Sequence, residues 1–126
     1  MWAVATTADF DDWFALLEAA AQSEVMAKVE LLKVVGPALR RPHADALNGS
    51  RHRNMKELRA DTSDAVLRIA FAFDPSRSAI LLCAGDKSGV GQRRFYRQLI
   101  ERADRLYEAH LAKLRARHRT RKKRRS

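Results

Sequence analysis
The chain has 126 residues, 46% of them apolar, and a formal net charge of +10. That length suits one domain with a real core, and the apolar fraction excludes disorder throughout. No apolar run approaches the ~18 residues of a membrane span, so a membrane protein is not expected.

The elements follow in chain order. Residues 2–6 are short and β-compatible, with Trp2, Val4 and Thr6 alternating against Ala3 and Ala5. Thr7 then caps a helix whose acidic first turn favours a helix N-terminus. The same Asp9, Asp11 and Asp12 break the first apolar cluster, so no secretory signal is expected and the protein is expected to be cytoplasmic. Phe10, Trp13, Phe14, Leu17 and Ala21 recur at helical spacing and predict one buried stripe. Ser23 is positioned to cap a second helix carrying Val25, Val29 and Leu32, which Gly36-Pro37 stops. The short connection predicts an antiparallel helical hairpin.

Residues 38–54 read as a polar, basic loop. Three strands follow: residues 55–59, residues 65–73, and the nearly all-apolar residues 78–85. In the second of these, Leu67, Ile69, Phe71 and Phe73 share one face. Asp61-Thr62-Ser63-Asp64 and Asp74-Pro75-Ser76-Arg77 are turn chemistry, so the three strands form an antiparallel meander. A glycine-bearing loop, residues 85–91, opens a last helix with Phe95, Leu99, Ala103 and Leu106 on its stripe. The order predicts an α+β domain with its helices packed on one sheet face. Its parts are an N-terminal strand and helical hairpin, a three-stranded meander and a C-terminal helix. The domain is expected to span residues 1–114, with residues 115–126 a basic tail expected to be disordered.

The charge is polarised along this order. Residues 1–37 balance at −4 and residues 38–114 at +6, while residues 115–126 hold eight Lys/Arg and no acid. Such a distribution suits a polyanion, nucleic acid among them. The tail reads equally as a solubilising segment or as a nonspecific, salt-sensitive contact to nucleic-acid phosphates. The lone Cys83 sits in an apolar run and reads as a core residue in a reducing compartment.

Much familiar chemistry is missing. No His-Glu-x-x-His or clustered ligand set indicates a metal, and no cofactor is expected. The glycine loop fails as a P-loop because Asp86, not Gly, precedes Lys87. No G-x-S-x-G elbow holds a serine nucleophile.

The basic residues of the middle segment carry the positive signal. Arg68 interrupts the most apolar strand, opposite in face to Leu67 and Ile69. If that apolar face meets the helices, Arg68 projects onto an uncovered sheet face. Lys56 and Arg59 lie on the preceding strand, Lys87 just past the following one, and Arg93, Arg94 and Tyr96 open the last helix. Converging cations would stabilise charge on a phosphodiester attacked by its own ribose 2′-OH, and Tyr96 could stack on a base or exchange a proton. Ordinary ion pairs of Lys56 with Glu57, or of Arg59 with Asp61 or Asp64, are the competing reading. Arg93 and Arg94 could equally be solvated, and Tyr96 part of the core.

Five segments, in order, resemble the phage-derived Gp49-like branch of HigB toxins in the RelE/ParE superfamily. They are Val35-Gly36-Pro37, Leu47-Asn48-Gly49-Ser50-Arg51-His52, Met55-Lys56-Glu57-Leu58-Arg59, the run from Leu67 to Pro75, and Leu82-Cys83-Ala84-Gly85-Asp86-Lys87. The likeness covers residues 1–112 and implies a RelE-like fold. It further implies a type II toxin that cleaves mRNA on ribosomes without a metal. A cognate antitoxin, usually a HigA-like helix-turn-helix protein, would silence it. On this resemblance Lys56, Arg59, Arg68, Lys87 and Arg94 contact phosphate or the transition state, and Tyr96 orients the substrate. Arg51, His52, Arg53 and Arg93 are expected to hold RNA. A ParE-like gyrase poison and a non-catalytic nucleic-acid-binding module are the competing classes.

Overall fold
The computed structural model describes residues 1–125, with side chains through residue 124. The elements are β1 (Ala3–Thr6), α1 (Ala8–Ala15), α2 (Ala19–Val35), a 3₁₀ turn (Gly36–Ala38), β2 (Ala44–Ala46), β3 (Lys56–Asp61), β4 (Val66–Phe73), β5 (Ser78–Asp86) and α3 (Gln92–Arg125). They build one five-stranded sheet in the order β1-β5-β4-β3-β2. β1 runs parallel to β5, and every other pairing is antiparallel.

Local chemistry explains the first helices. Thr7 caps α1 by accepting from the Phe10 N–H, with Asp9 and Asp11 in the first turn. The break between α1 and α2 falls at residues 16–18, earlier than the sequence suggests. Ala21 and Ser23 therefore both lie inside α2, whose N-cap position is held by Glu18, which makes no side-chain cap bond. Ala21 still packs inward, because a buried stripe continues across the break. At the far end Gly36 adopts φ +67°, and a Cβ there would lie 2.2 Å from Trp2 Nε1. Only glycine meets both conditions.

The meander is present, with two additions the sequence did not suggest. The polar stretch after α2 contains β2, which pairs Ala44 with Leu58 and Ala46 with Lys56. Three residues in a basic loop give no alternation to read. The larger correction concerns the layers: helices cover both sheet faces. Phe10, Val25, Val29 and Leu32 pack on Leu58, Leu67, Ile69, Phe71 and Leu81 on one side. Phe95, Leu99, Ala103 and Tyr107 of α3 pack on Ala70, Ala72, Ile80, Leu82 and Cys83 on the other. The reason lies in β5, where a bulge between Ala70 and Phe71 of β4 places two consecutive residues, Leu82 and Cys83, on the α3 side. That apolar second face must be buried, and α3 buries it.

α3 does not stop at the expected boundary. It continues as helix through Arg125, well past Leu114. No Gly or Pro follows Gly91, and Ala, Leu, Arg and Lys all favour helix. Residues 115–125 are thus helical rather than the unstructured tail expected, and Ser126 lies outside the described residues.

Candidate functional site
Antiparallel pairing between β3 and β4 decides which cations meet. Arg59 lies opposite Arg68, and Glu57 opposite Ala70, so Glu57, Arg59, Asp61 and Arg68 share the α3 face. Lys56 lies opposite Phe71 and belongs to the other face. Its ammonium donates to the Pro37 carbonyl at 3.0 Å. Lys56 is therefore separated from Arg59 and Arg68 by the thickness of the sheet, because neighbouring strand residues point oppositely.

The shared face is not open. The first turns of α3 set Tyr96 over it, and the Tyr96 hydroxyl donates to Glu57 Oε1 at 2.7 Å. Glu57 is 3% exposed and Arg68 6%. Arg59 Nε donates to Glu57 Oε2 at 3.0 Å, and Arg59 Nη2 reaches Asp45 at 3.3 Å. Arg68 Nη1 donates to Asp61 Oδ1 at 2.6 Å and to the Leu67 carbonyl at 2.8 Å. Its Nε faces Glu57 at 3.9 Å and is the one buried side-chain N or O without a hydrogen-bond partner among the described residues. Lys87 places its ammonium 5.5 Å from the Tyr96 ring centroid. Arg59, Arg68, Lys87 and Tyr96 are thus brought together, around a buried carboxylate that the sequence reading did not select.

The surroundings tune these groups in a consistent direction. Burial pushes the Tyr96 phenol up, and the Glu57 carboxylate pushes it further, against the smaller pull of Arg68. The phenol is therefore held protonated. Burial alone would lower the Arg68 guanidinium, but its bonds to Asp61 and Tyr96 outweigh this and leave it raised. Asp45 is held below the ordinary carboxylate range by Arg41 and by the Ala46 N–H. Asp86 is likewise lowered, its burial outweighed by N–H donors from Ser88 and Val66. It closes the loop that presents Lys87.

The remaining cations lie elsewhere. Arg93 and Arg94 are exposed on the first turn of α3. Arg93 borders a groove of about 690 Å³ shared with Asn48, Arg51, Tyr96 and Arg97. Arg51 and His52 are tied to α3: Arg51 forks onto Glu108 at 2.9–3.0 Å, and His52 Nε2 lies 3.0 Å from the same carboxylate. The Arg51 N–H and the Ser50 hydroxyl donate to the buried Asp104. Arg53 is exposed. The basic loop is thus clamped by α3 carboxylates that its charge alone did not reveal. A signal for Glu57 was available: with Arg59 and Asp61 it falls at the i, i+2, i+4 spacing of one strand face.

Chemically, the cluster offers a proton acceptor (Glu57), a phenol bonded to it (Tyr96), a buried guanidinium held beside them (Arg68) and a half-buried ammonium at the Tyr96 ring (Lys87). Among the described residues no group of three or more His, Cys, Asp or Glu could hold a metal ion, and no helix is long and apolar enough to cross a membrane.

A sheet layered between a helical hairpin and a long C-terminal helix, with its polar cluster at one end, is a RelE-like fold. The structure aligns with a double-arginine mutant of the E. coli toxin RelE in the free state at a TM-score of 0.58, covering 80% of this chain and 96% of that one. Identity there is 10%, so the likeness is one of fold. The chain belongs to the phage-derived Gp49-like family (DUF891), whose profile matches residues 12–108, and is HigB-like. Two similar proteins from Mycobacterium tuberculosis are named as candidate toxins. HigB3 is 48% identical over 101 residues, covering 79% of this chain and 85% of its own length. HigB2 is 44% identical over 101 residues, and the chain spans only 50% of its length.

Proposed function
We propose that this protein is the toxin of a type II toxin–antitoxin pair, and that it cleaves mRNA on the ribosome in the cytoplasm without a metal. The observation that carries the reading is the meeting of Tyr96, Glu57, Arg68 and Lys87 beneath the start of α3. Kinship with proteins named as toxins supports it. Residues 1–114 would form the toxin unit, and a HigA-like helix-turn-helix antitoxin would be its partner.

The chemistry follows from the groups. A ribose 2′-OH placed at Tyr96 gives its proton to the phenol oxygen as the phenol proton passes to Glu57. The 2′-oxygen forms a bond to phosphorus, and the 5′-oxygen leaves with a proton from water, producing a 2′,3′-cyclic phosphate. Lys87 stabilises the charge that builds on the phosphoryl oxygens, and the buried Arg68 adds its field from behind Tyr96. Arg59 orients Glu57 rather than the substrate. Lys56, on the far face, is assigned to binding instead of the reacting phosphate, and Arg53, Arg93 and Arg94 to guiding the RNA strand toward the groove.

Induction in a bacterial host, with mapping of mRNA 5′ ends, tests the reading. Growth arrest with new cleavage sites is expected for the natural sequence. Tyr96→Phe and Lys87→Ala should each lose about 10²–10⁴-fold in cleavage rate, the range for removing a positioned proton-transfer or charge-stabilising group. Full toxicity in both variants, or arrest accompanied by gyrase–DNA breaks and intact mRNA, refutes it.

A further inference from the structure
The final stretch of α3 leaves the domain as an exposed, strongly cationic helix. Leu111 and Leu114 are the last half-buried side chains, and every residue from 115 to 124 is exposed. Eight of the eleven residues 115–125 are Lys or Arg, with no acid among them. At about 1.5 Å per residue the rod projects roughly 16 Å beyond Leu114. The stretch lies outside the family-matched segment, which ends at residue 108. The toxin core therefore does not explain it.

Two features say what the rod fits. At 100° per residue, Arg115, Arg117, Arg119, Arg121, Lys122, Lys123 and Arg124 surround the helix and leave no arc wider than about 100°. A partner with a single flat acidic face would meet only part of that charge. A groove walled by phosphates on both sides meets all of it. The rod also repels itself: 115/119, 117/121 and 119/123 are like-charged i, i+4 pairs, each destabilising a free helix by a few tenths of a kcal/mol. A polyanion removes that repulsion. The residues contain no aromatic ring other than the imidazole of His118, so base stacking is not the main mode of contact.

We infer that residues 115–125 form a helical anchor that inserts into a phosphate-walled groove of structured RNA. The anchor stands about 28–43 Å from Tyr96 along the same helix, so it holds the body of the RNA while the reacting strand lies at the far end. The choice of RNA over other polyanions rests on the nuclease reading above.

The test uses the full chain and a full-length variant carrying Arg115→Gln, Arg117→Gln, Arg119→Gln and Arg121→Gln. Gln and Arg have similar helix propensity, so the rod is kept while its charge falls. Fluorescence anisotropy measures binding to a bulged RNA stem-loop at three salt concentrations, with a DNA duplex of equal length and poly-glutamate as comparators. The expected result is a loss of about 100-fold or more in stem-loop affinity near 0.1 M salt. The log–log salt slope should flatten by about three to four, close to one unit per lost phosphate contact. Helical circular dichroism should rise when RNA is added to the natural sequence. Unchanged affinity and slope in the variant overturn the inference. So does equal or tighter rod-dependent binding to DNA or to poly-glutamate, the latter marking a protein partner. Because the readout is binding, a protein with no cleavage activity still tests the anchor, and failure of the nuclease reading is separately visible.

Discussion
Replacing Tyr96 with Phe isolates one oxygen at the centre of the cluster. The ring keeps its edge contact with Phe95, 5.3 Å between centroids, and its place beneath Lys87. What disappears is the donor to Glu57 at 2.7 Å. Glu57 is almost wholly buried, so water cannot replace that donor without opening α3. It would retain Arg59 Nε as its hydrogen-bond partner, with Arg68 Nε at 3.9 Å. A hydrogen bond to a charged group contributes about 1.5–3 kcal/mol, so a loss near 2 kcal/mol is expected. For a domain of this size that is a fall in Tm of roughly 6–12 °C. Urea denaturation of Tyr96→Phe, Glu57→Gln and the double variant completes a cycle whose coupling should be about 1 kcal/mol, because a glutamine side chain there accepts only a neutral bond. A loss below about 0.5 kcal/mol, or strictly additive variants, would falsify the buried phenol–carboxylate pair. The same pair fixes a pH sign. The folded Tyr96 phenol ionises above its ordinary value of 10. Its contribution to stability is complete below that unfolded value and lost as pH rises through the raised folded one. Ultraviolet titration should show a high-pH tyrosine step that moves down in Glu57→Gln.

Four further outcomes are expected. Cys83 is fully buried and its thiol is pushed up to about 11 by burial, so a thiol reagent at pH 8 should label it only after denaturant is added. Gly36→Ala combines a positive φ with a clash on Trp2, and a loss of at least ~2 kcal/mol in chemical denaturation is expected. Asp104→Ala removes the acceptor for Ser50 and the Arg51 N–H. A cost of about 2–3 kcal/mol should come with faster amide exchange across residues 50–54, and unchanged exchange there would count against the clamp. Glu108 is held below 4.5 by Arg51 first and then His52. Its contribution is present above that value and lost as pH falls through the lower folded one, so an NMR titration midpoint below 4.5 should move up in Arg51→Ala.

The fold was largely legible because its signals are local. Thr7 with Asp9 and Asp11, the Gly36-Pro37 stop and the two turn-rich joints each dictate backbone geometry within a few residues. What escaped was non-local. β2 exists because Leu58 and Lys56 offer it an edge, not because Ala44-Asp45-Ala46 favours strand. The second helical layer was encoded in β5, whose unbroken apolar run has two faces to bury, but its bulge set the phase. The site was legible to the same extent. Arg59, Arg68, Lys87 and Tyr96 do come together, but beneath α3 and against carboxylates rather than on the uncovered face that pattern suggested, whereas Lys56 fell to the wrong face through the one-residue alternation of its strand. Glu57, Asp104 and Glu108 were hidden because a carboxylate in sequence does not show which cation it will hold.

The pairing of β1 with β5 also governs when the molecule becomes whole during synthesis. Ala3 waits for Ser78, and the Thr7 hydroxyl for the Leu82 carbonyl. Tyr96 can reach Glu57 only once the start of α3 has been made. A growing chain therefore carries an exposed helical hairpin and no assembled cluster until its last third has emerged.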